Sequence, residues 1–200
     1  MKPEAKSNLV LGSASPRRKE LLARVGVPFR IEHSDIDEQI GTTEDPETFT
    51  RRTADRKARA VAQNQEPGTW VLAADTTVVV DDQILGKPQD RSDGARMLGL
   101  LSGRAHRVLT AVVLAQSGPG QVSRHLSETT VVFRELSDET IQGYLDTGEP
   151  QDKAGAYGIQ GIGAMLVRSV QGSYTNVVGL PLVETIEMLE AAGIYRPFAS

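Results

Sequence analysis

The run Gly12-Ser13-Ala14-Ser15-Pro16-Arg17-Arg18 follows the short apolar stretch Leu9-Val10-Leu11. This order predicts a strand that ends in a small-residue loop and feeds a helix. Ser15 suits an N-cap, and Pro16 suits the first helical position, where a missing N–H costs nothing. A helix start presents free N–H groups and partial positive charge. Two hydroxyls (Ser13, Ser15) and two guanidinium groups (Arg17, Arg18) stand with it. Together they would grip a phosphate chain; the plainer reading is a capped helix with solvated arginines. The spacing G-x-x-x-x-G-K-[ST] is absent, so the loop is not a P-loop.

Asp75 follows six residues without charge. A carboxylate at the mouth of a buried strand suits a general base or a metal ligand, or simply the cap of a turn. Lys87 lies just past a predicted hairpin, whose fold would bring it back toward Asp75; alternatively it is a surface lysine. Asp37-Glu38 belongs to an acidic loop, and Lys57 to a basic helix, where solvation is the ordinary fate of both. Residues 148–163 contain five glycines, too many for a helix or strand interior. Among them stand Glu149, Asp152, Lys153 and Gln160, in a loop that lets backbone approach a ligand or that merely turns the chain. His106 and His125 fall in strand-like runs and read as packing or surface residues. Each signal is weak alone. As a set, a phosphate cradle, lysines and several carboxylates on strand ends and loops fit metal-assisted hydrolysis of a phosphoanhydride.

The elements that must position these residues alternate between strands and helices. A first helix is predicted from Pro16 to about Val25 with Gly26 closing it, then a weak strand over 29–34 and an exposed loop over 35–45. Asp45-Pro46 opens a second helix, in which Phe49, Thr53, Ala54, Lys57, Ala58 and Val61 recur at helical spacing. A strand runs over 70–74 to Asp75, with β-branched residues continuing it over 76–80. Asp81-Asp82 reads as a hairpin turn into 83–85. Further elements are a helix over 92–101, strands over 108–114 and 121–133, a helix from Ser137 to about Tyr144, a strand over 164–170, and a last helix from Pro181 to Ala192. Hairpins beside βα units imply a mixed sheet, and an α/β fold class.

Composition bounds the rest. Two hundred residues fit one domain and can bury ~70% of the unfolded chain's surface. Hydrophobic residues at 39% and charged residues at 24% describe a globular chain rather than a disordered one. The absence of cysteine excludes a disulfide scaffold, a thiol nucleophile and a thiolate metal site, and three scattered histidines make no His-rich one. A net charge of −4 argues against general binding to nucleic acid or an anionic membrane, yet not against a local basic pocket. No apolar h-region opens the chain and no apolar run nears the ~20 residues that cross a bilayer, so the cytoplasm is the expected compartment.

The segments Ser13-Ala14-Ser15-Pro16-Arg17-Arg18, Asp55-Arg56-Lys57-Ala58, Ala74-Asp75-Thr76, Gly86-Lys87-Pro88, Asp152 to Gly161, Gly172-Ser173-Tyr174 and Asn176 to Pro181 occur in this order. So arranged, the sequence resembles the Maf-type nucleoside triphosphate pyrophosphatases, also called septum-formation-inhibitor-like proteins. The resemblance spans about residues 9 to 190, leaving residues 1–8 as an expected extension of a single Maf-like domain. It implies an elongated mixed sheet flanked by helices, with a cleft between two lobes. It further implies hydrolysis of a nucleoside triphosphate to the monophosphate and pyrophosphate with a divalent cation (Mg or Mn), in the manner of the dTTP/UTP branch, modified pyrimidine nucleotides included. By the same resemblance Asp75 is the proton acceptor; Arg17, Thr76 and Gln160 are the branch-distinguishing positions; and Ser15, Arg18, Glu38, Lys57 and Lys87 complete the site. Glu38 becomes the expected metal partner of Asp75, and a homodimer the expected assembly. Two other readings stay open: a nucleotide-binding regulator of septum formation without turnover, and the same enzyme acting on methylated GTP.

Overall fold

The computed structural model describes residues 8–33 and 44–198. Strand β1 (Leu9–Leu11) leads into helix α1 (Pro16–Arg24), with Ser15 at the N-cap and Pro16 at N1. Gly26 then adopts φ +76°, a left-handed turn that glycine makes without strain. A two-residue strand β2 (Arg30–Ile31) follows. Helix α2 (Pro46–Ala62) starts at Asp45, whose carboxylate accepts the Thr48 N–H at 3.0 Å. Strand β3 (Trp70–Val80) turns through Asp81 and Asp82 into β4 (Gln83–Leu85). Both turn residues have positive φ, as a two-residue hairpin requires.

Helix α3 (Arg91–Leu101), strands β5 (Ala105–Gln116) and β6 (Val122–Phe133), and helix α4 (Asp138–Asp146) come next. Three 3₁₀ turns span Glu149–Asp152, Ala154–Ala156 and Ile162–Leu166 before strand β7 (Val167–Gln171). Helices α5 (Tyr174–Val178) and α6 (Leu182–Ala191) close the fold. Among the described residues no helix is long and apolar enough to cross a membrane.

The sheet has seven strands in the order β2-β1-β3-β5-β6-β7, with β4 also on β3. β1 runs parallel to β2 and β3, and every other pairing is antiparallel, so the sheet is mixed as expected. Side chains alternate between the faces of β3. On one face Trp70, Leu72 and Ala74 join β1, α1 and α6 in one core, while Val78 and Val80 join α3, α4 and the 3₁₀ turns in another. Thr76 stands between the two. On the opposite face α2 lies against the sheet through small residues, with Ala54 and Ala58 packed on Ala73 and Ala111.

Some expectations change. Asp75 lies inside an eleven-residue strand and not at its end, because the β-branched run 76–80 simply continues the strand. The strand expected over 29–34 shrinks to Arg30–Ile31, and Ser34 lies outside the described residues. The strand expected from 164 begins at Val167, after the 3₁₀ turn Ile162–Leu166. Helix α5 was not expected; Ser173 caps it by accepting the Asn176 N–H at 3.2 Å. The loop expected over 35–45 lies outside the described residues up to 43, and so does Glu38. Residues 1–7 also lie outside them, while Asn8 accepts the Trp70 N–H at 2.9 Å.

Candidate active site

One edge of β3 is lined by β5 from Trp70 to Val79. The other edge is shared between two short strands. β1 covers it at 70–72, and the Gly12 N–H donates to Leu72 O at 2.8 Å. β4 covers it from Val78 to Val80. Over 73–77 no described strand pairs with it. Asp75 and Thr76, which point to opposite faces of the sheet, therefore open onto one cavity of about 860 Å³.

The start of α1 forms one wall of this cavity, α2 a second, and the glycine-rich stretch with the end of α5 the rest. Ser15, Arg17, Arg18, Lys57, Asp75, Thr76, Lys87 and Gln160 all line it. The sequence order thus brings together every described residue singled out above as catalytic or substrate-binding.

Asp75 is buried, with its side chain 8% exposed, and its Oδ1 accepts a hydrogen bond from Lys57 Nζ at 2.6 Å. Lys57 is accordingly not the solvated lysine of a helix face; its side chain is 16% exposed and crosses from α2 to the strand. The Arg18 guanidinium is buried as well. Its Nε donates to Gly179 O at 2.8 Å, Nη1 to Ser13 Oγ at 3.1 Å and Nη2 to Thr76 Oγ1 at 3.0 Å. Thr76 Oγ1 also lies 3.0 Å from Thr110 Oγ1, whose hydroxyl bonds Asn176 O at 3.1 Å. A chain of hydroxyls therefore fixes the arginine from β3, β5 and α5 together.

Ser15 Oγ caps α1 with a long bond from the Arg18 N–H, 3.5 Å. Helix starts leave N–H groups without intrahelical partners, and this one begins at the cavity wall. Arg17 spans the cleft to Asp152 at 3.0 Å, and Asp152 also accepts Lys153 Nζ at 2.6 Å. Burial pushes the Asp152 carboxyl up, but the bonds from Lys153 and Arg17 outweigh it and hold it below the usual carboxylate range. Lys87 and Gln160 are exposed on the wall.

Glu149 Oε1 accepts the Tyr144 hydroxyl at 2.8 Å and the Gly163 N–H at 3.0 Å, and Oε2 accepts the Ile162 N–H at 2.8 Å. Burial raises its pKa, but these bonds prevail and keep it below the ordinary value. Among the described residues, five cationic side chains (Arg17, Arg18, Lys57, Lys87, Lys153) thus face three carboxylates (Asp75, Glu149, Asp152) around the cavity. In a chain of net charge −4 this is a local positive field, suited to an anion.

Sequence reasoning overlooked His33, Phe49 as a wall residue, and the Gly179 carbonyl under Arg18. It also overlooked Arg52, which bonds Glu44 through Nε at 2.7 Å and Nη2 at 2.6 Å. Those bonds raise the Arg52 pKa against the effect of burial, and the charges of Glu44 and Asp75 add to them. Only the helical periodicity of Phe49 was visible, and periodicity does not report what a side chain faces.

Among the described residues no group of three His, Cys, Asp or Glu is arranged to hold a metal ion. Both oxygens of Glu149 already accept hydrogen bonds, and Asp152 is paired with two cations. Asp75, bonded to Lys57, is the most buried of these carboxylates and faces the cavity. A single carboxylate does not make a resident cage, but it fits a magnesium-type ion held mainly by substrate phosphates.

An open-edged mixed sheet whose cleft sets a buried carboxylate among cations defines an α/β protein with a cation-lined cavity. The family follows: residues 8–192 match the Maf-like protein family model, and the chain belongs to that family. It is 50% identical over 195 residues to the dTTP/UTP pyrophosphatase of Syntrophotalea carbinolica, covering 97% of this chain and 89% of that protein. To the dTTP/UTP pyrophosphatase of Symbiobacterium thermophilum it is 52% identical over 185 residues, covering 92% and 94%. Among solved structures, a HAM1 protein from Coxiella burnetii aligns with a TM-score of 0.47 at 15% identity, covering 92% of this chain and 96% of that one.

Proposed function

We propose that the protein is a nucleoside triphosphate pyrophosphatase that hydrolyses dTTP and UTP to the monophosphate and pyrophosphate. The observation that carries this reading is the Asp75 carboxylate on the open edge of β3, held by Lys57 at 2.6 Å inside a cavity lined by Arg17, Arg18 and Lys87. Its identity of about 50% to proteins named for that activity supports the choice of substrate.

In this reading Asp75 accepts a proton from the water that attacks the α-phosphorus. The bond between that phosphorus and the bridging oxygen breaks, and its electron pair leaves with pyrophosphate. Lys57 orients the carboxylate. Arg18, Lys87 and the start of α1 stabilise negative charge on the phosphoryl oxygens and the leaving group, each such preorganised donor contributing about 3–4 kcal/mol. Thr76 acts through the Arg18 guanidinium it bonds, and Gln160 reads the polar edge of the pyrimidine. A divalent cation carried on the triphosphate would meet Asp75 and neutralise charge on the phosphate oxygens.

The test is pyrophosphate release by the purified protein with Mg²⁺ or Mn²⁺ across canonical and modified triphosphates. dTTP and UTP should lead the panel. Asp75→Asn should keep the fold and lower kcat by about 10²–10⁴-fold. Tight nucleotide binding by calorimetry without product would instead mark a regulator. A methylated GTP as the best substrate would move the reading to purines.

A further inference from the structure

Gln160 lies in a short stretch, 158–161, that belongs to no strand and leads into the 3₁₀ turn Ile162–Leu166. It is nevertheless tied at both ends to one pair of side chains. On the near side the Gly158 N–H donates to the Tyr144 hydroxyl oxygen at 3.0 Å. On the far side the Ile162 N–H donates to Glu149 Oε2 at 2.8 Å, and the next N–H, of Gly163, to Oε1 at 3.0 Å. The pair is itself closed, because the Tyr144 hydroxyl donates to Glu149 Oε1 at 2.8 Å. The tyrosine is buried on α4, within the core that also holds Val78 and Phe133, so the anchor belongs to the rigid body of the protein.

The glycines of this stretch make room for the anchor. A Cβ on Gly161 would overlap Glu149 Oε2, one on Gly163 would run into the Tyr144 hydroxyl, and one on Gly158 would meet the Lys153 side chain at 2.7 Å before Glu149 Oε1 at 3.2 Å. For Gly161 and Gly163 the place follows from the volume of a carboxylate and a phenol, since neither has positive φ.

We propose that Glu149, with Tyr144, is the positioning pair that fixes Gln160 against the ligand's base, so that a carboxylate remote from the reacting phosphorus sets recognition of the pyrimidine. The proposal rests on the dTTP/UTP reading for the identity of that base. Glu149 touches the cavity, yet its oxygens already accept hydrogen bonds from Tyr144, Ile162 and Gly163. Its action on substrate therefore runs through the loop. A carboxylate accepts N–H donors at both oxygens, whereas an amide presents an acceptor at one end and a donor at the other. Glu149→Gln must turn an NH₂ toward an N–H or a phenol and release part of the loop.

The experiment compares wild type, Glu149→Gln and the milder Tyr144→Phe in three measurements: KM and kcat for dTTP, the inhibition constant of inorganic tripolyphosphate, and amide hydrogen exchange over 158–163. Tripolyphosphate reads the phosphate cradle without a base. The expected result is a rise in KM for dTTP of at least about tenfold, the scale of one lost charge-assisted hydrogen bond. The tripolyphosphate constant stays within twofold, and exchange at Ile162 and Gly163 becomes faster, with Tyr144→Phe falling between the two. An unchanged KM for dTTP overturns the proposal, as does a parallel loss of both affinities or unchanged exchange. If wild type turns over neither dTTP nor UTP, the reading of function fails first. The exchange data then decide the clamp alone: faster exchange supports it and unchanged exchange removes it.

Discussion

Asp75 and His106 are both buried titratable groups, and their surroundings give them opposite assignments. Asp75 has an ammonium at 2.6 Å and a cavity in front of it. His106 is 2% exposed, packed edge-on against Phe133 and Tyr157, with Nε2 2.9 Å from the Tyr157 hydroxyl. Burial lowers its pKa to about 4, so it is neutral in the fold and holds the tyrosine. The consequence for stability has a definite sign. The unfolded chain takes up the proton near pH 6.5, before the folded one does, so stability falls as pH drops from there toward 4. Between pH 7 and 5 the loss should be about 2 kcal/mol, read as a drop in urea midpoint. A flat midpoint over that range contradicts it, and His106→Leu should remove most of the slope. At this scale the sequence was legible in part. A charge after a run of apolar residues marked Asp75, and helical spacing put Lys57 on α2. That the two touch was not legible, because they come from different elements and meet only after the helix packs on the strand through alanines.

The elements were easier to read than their partners. Ser15-Pro16, Asp45-Pro46 and Ser137 each announce a helix start, and Asp81-Asp82 a hairpin, because caps and tight turns are local chemistry. Helix α5 escaped because its five residues hold no full amphipathic period; it is held to the sheet by its own buried Asn176, which donates to Val108 O at 2.9 Å and Thr129 Oγ1 at 2.9 Å. The 3₁₀ turns escaped because glycine-rich backbone takes its shape from what it packs on. Gly155 shows this best. It sits at φ +69°, its N–H donates to Gly86 O at 3.0 Å, and a Cβ there would lie 2.9 Å from Val78 Cγ1. Gly155→Ala combines backbone strain with a clash against the core, and should lower stability by about 2 kcal/mol or more. Thermal unfolding of that variant checks it, and a midpoint equal to wild type would show that the turn moves freely on β3.

For the molecule as a whole, the cavity lies where two hydrophobic cores on one face of the sheet meet, at Thr76. Arg18 from one side reaches the carbonyl of Gly179, 161 residues later in the chain, and Arg17 bridges to Asp152, 135 residues away. Such closures were not legible from local pattern, since spacing along the chain says nothing about contacts at that separation. A ligand seated here ties the two cores together, so dTTP at a hundred times its Kd should stabilise the fold by about 2.7 kcal/mol. Scanning calorimetry with and without nucleotide measures it, and an unmoved transition would show that dTTP does not bind the folded protein. Because the cradle acts through charge, KM should rise with ionic strength; a KM indifferent to salt would argue that the cations do not meet the phosphates.

An uncovered stretch of β-strand is ordinarily a hazard, since it offers a template on which other chains can add and aggregate. Here the length that no described strand pairs on this edge is residues 73–77, recessed between β1 and β4, with Lys57 and Asp75 to one side and Arg18 to the other. Five residues are too few, and too strongly charged in their setting, to seed a foreign strand. The Gly86 carbonyl, turned to Gly155, draws the chain away before it can zip the opening shut. The fold can therefore leave a strand edge unpaired by its described neighbours at its centre without becoming sticky.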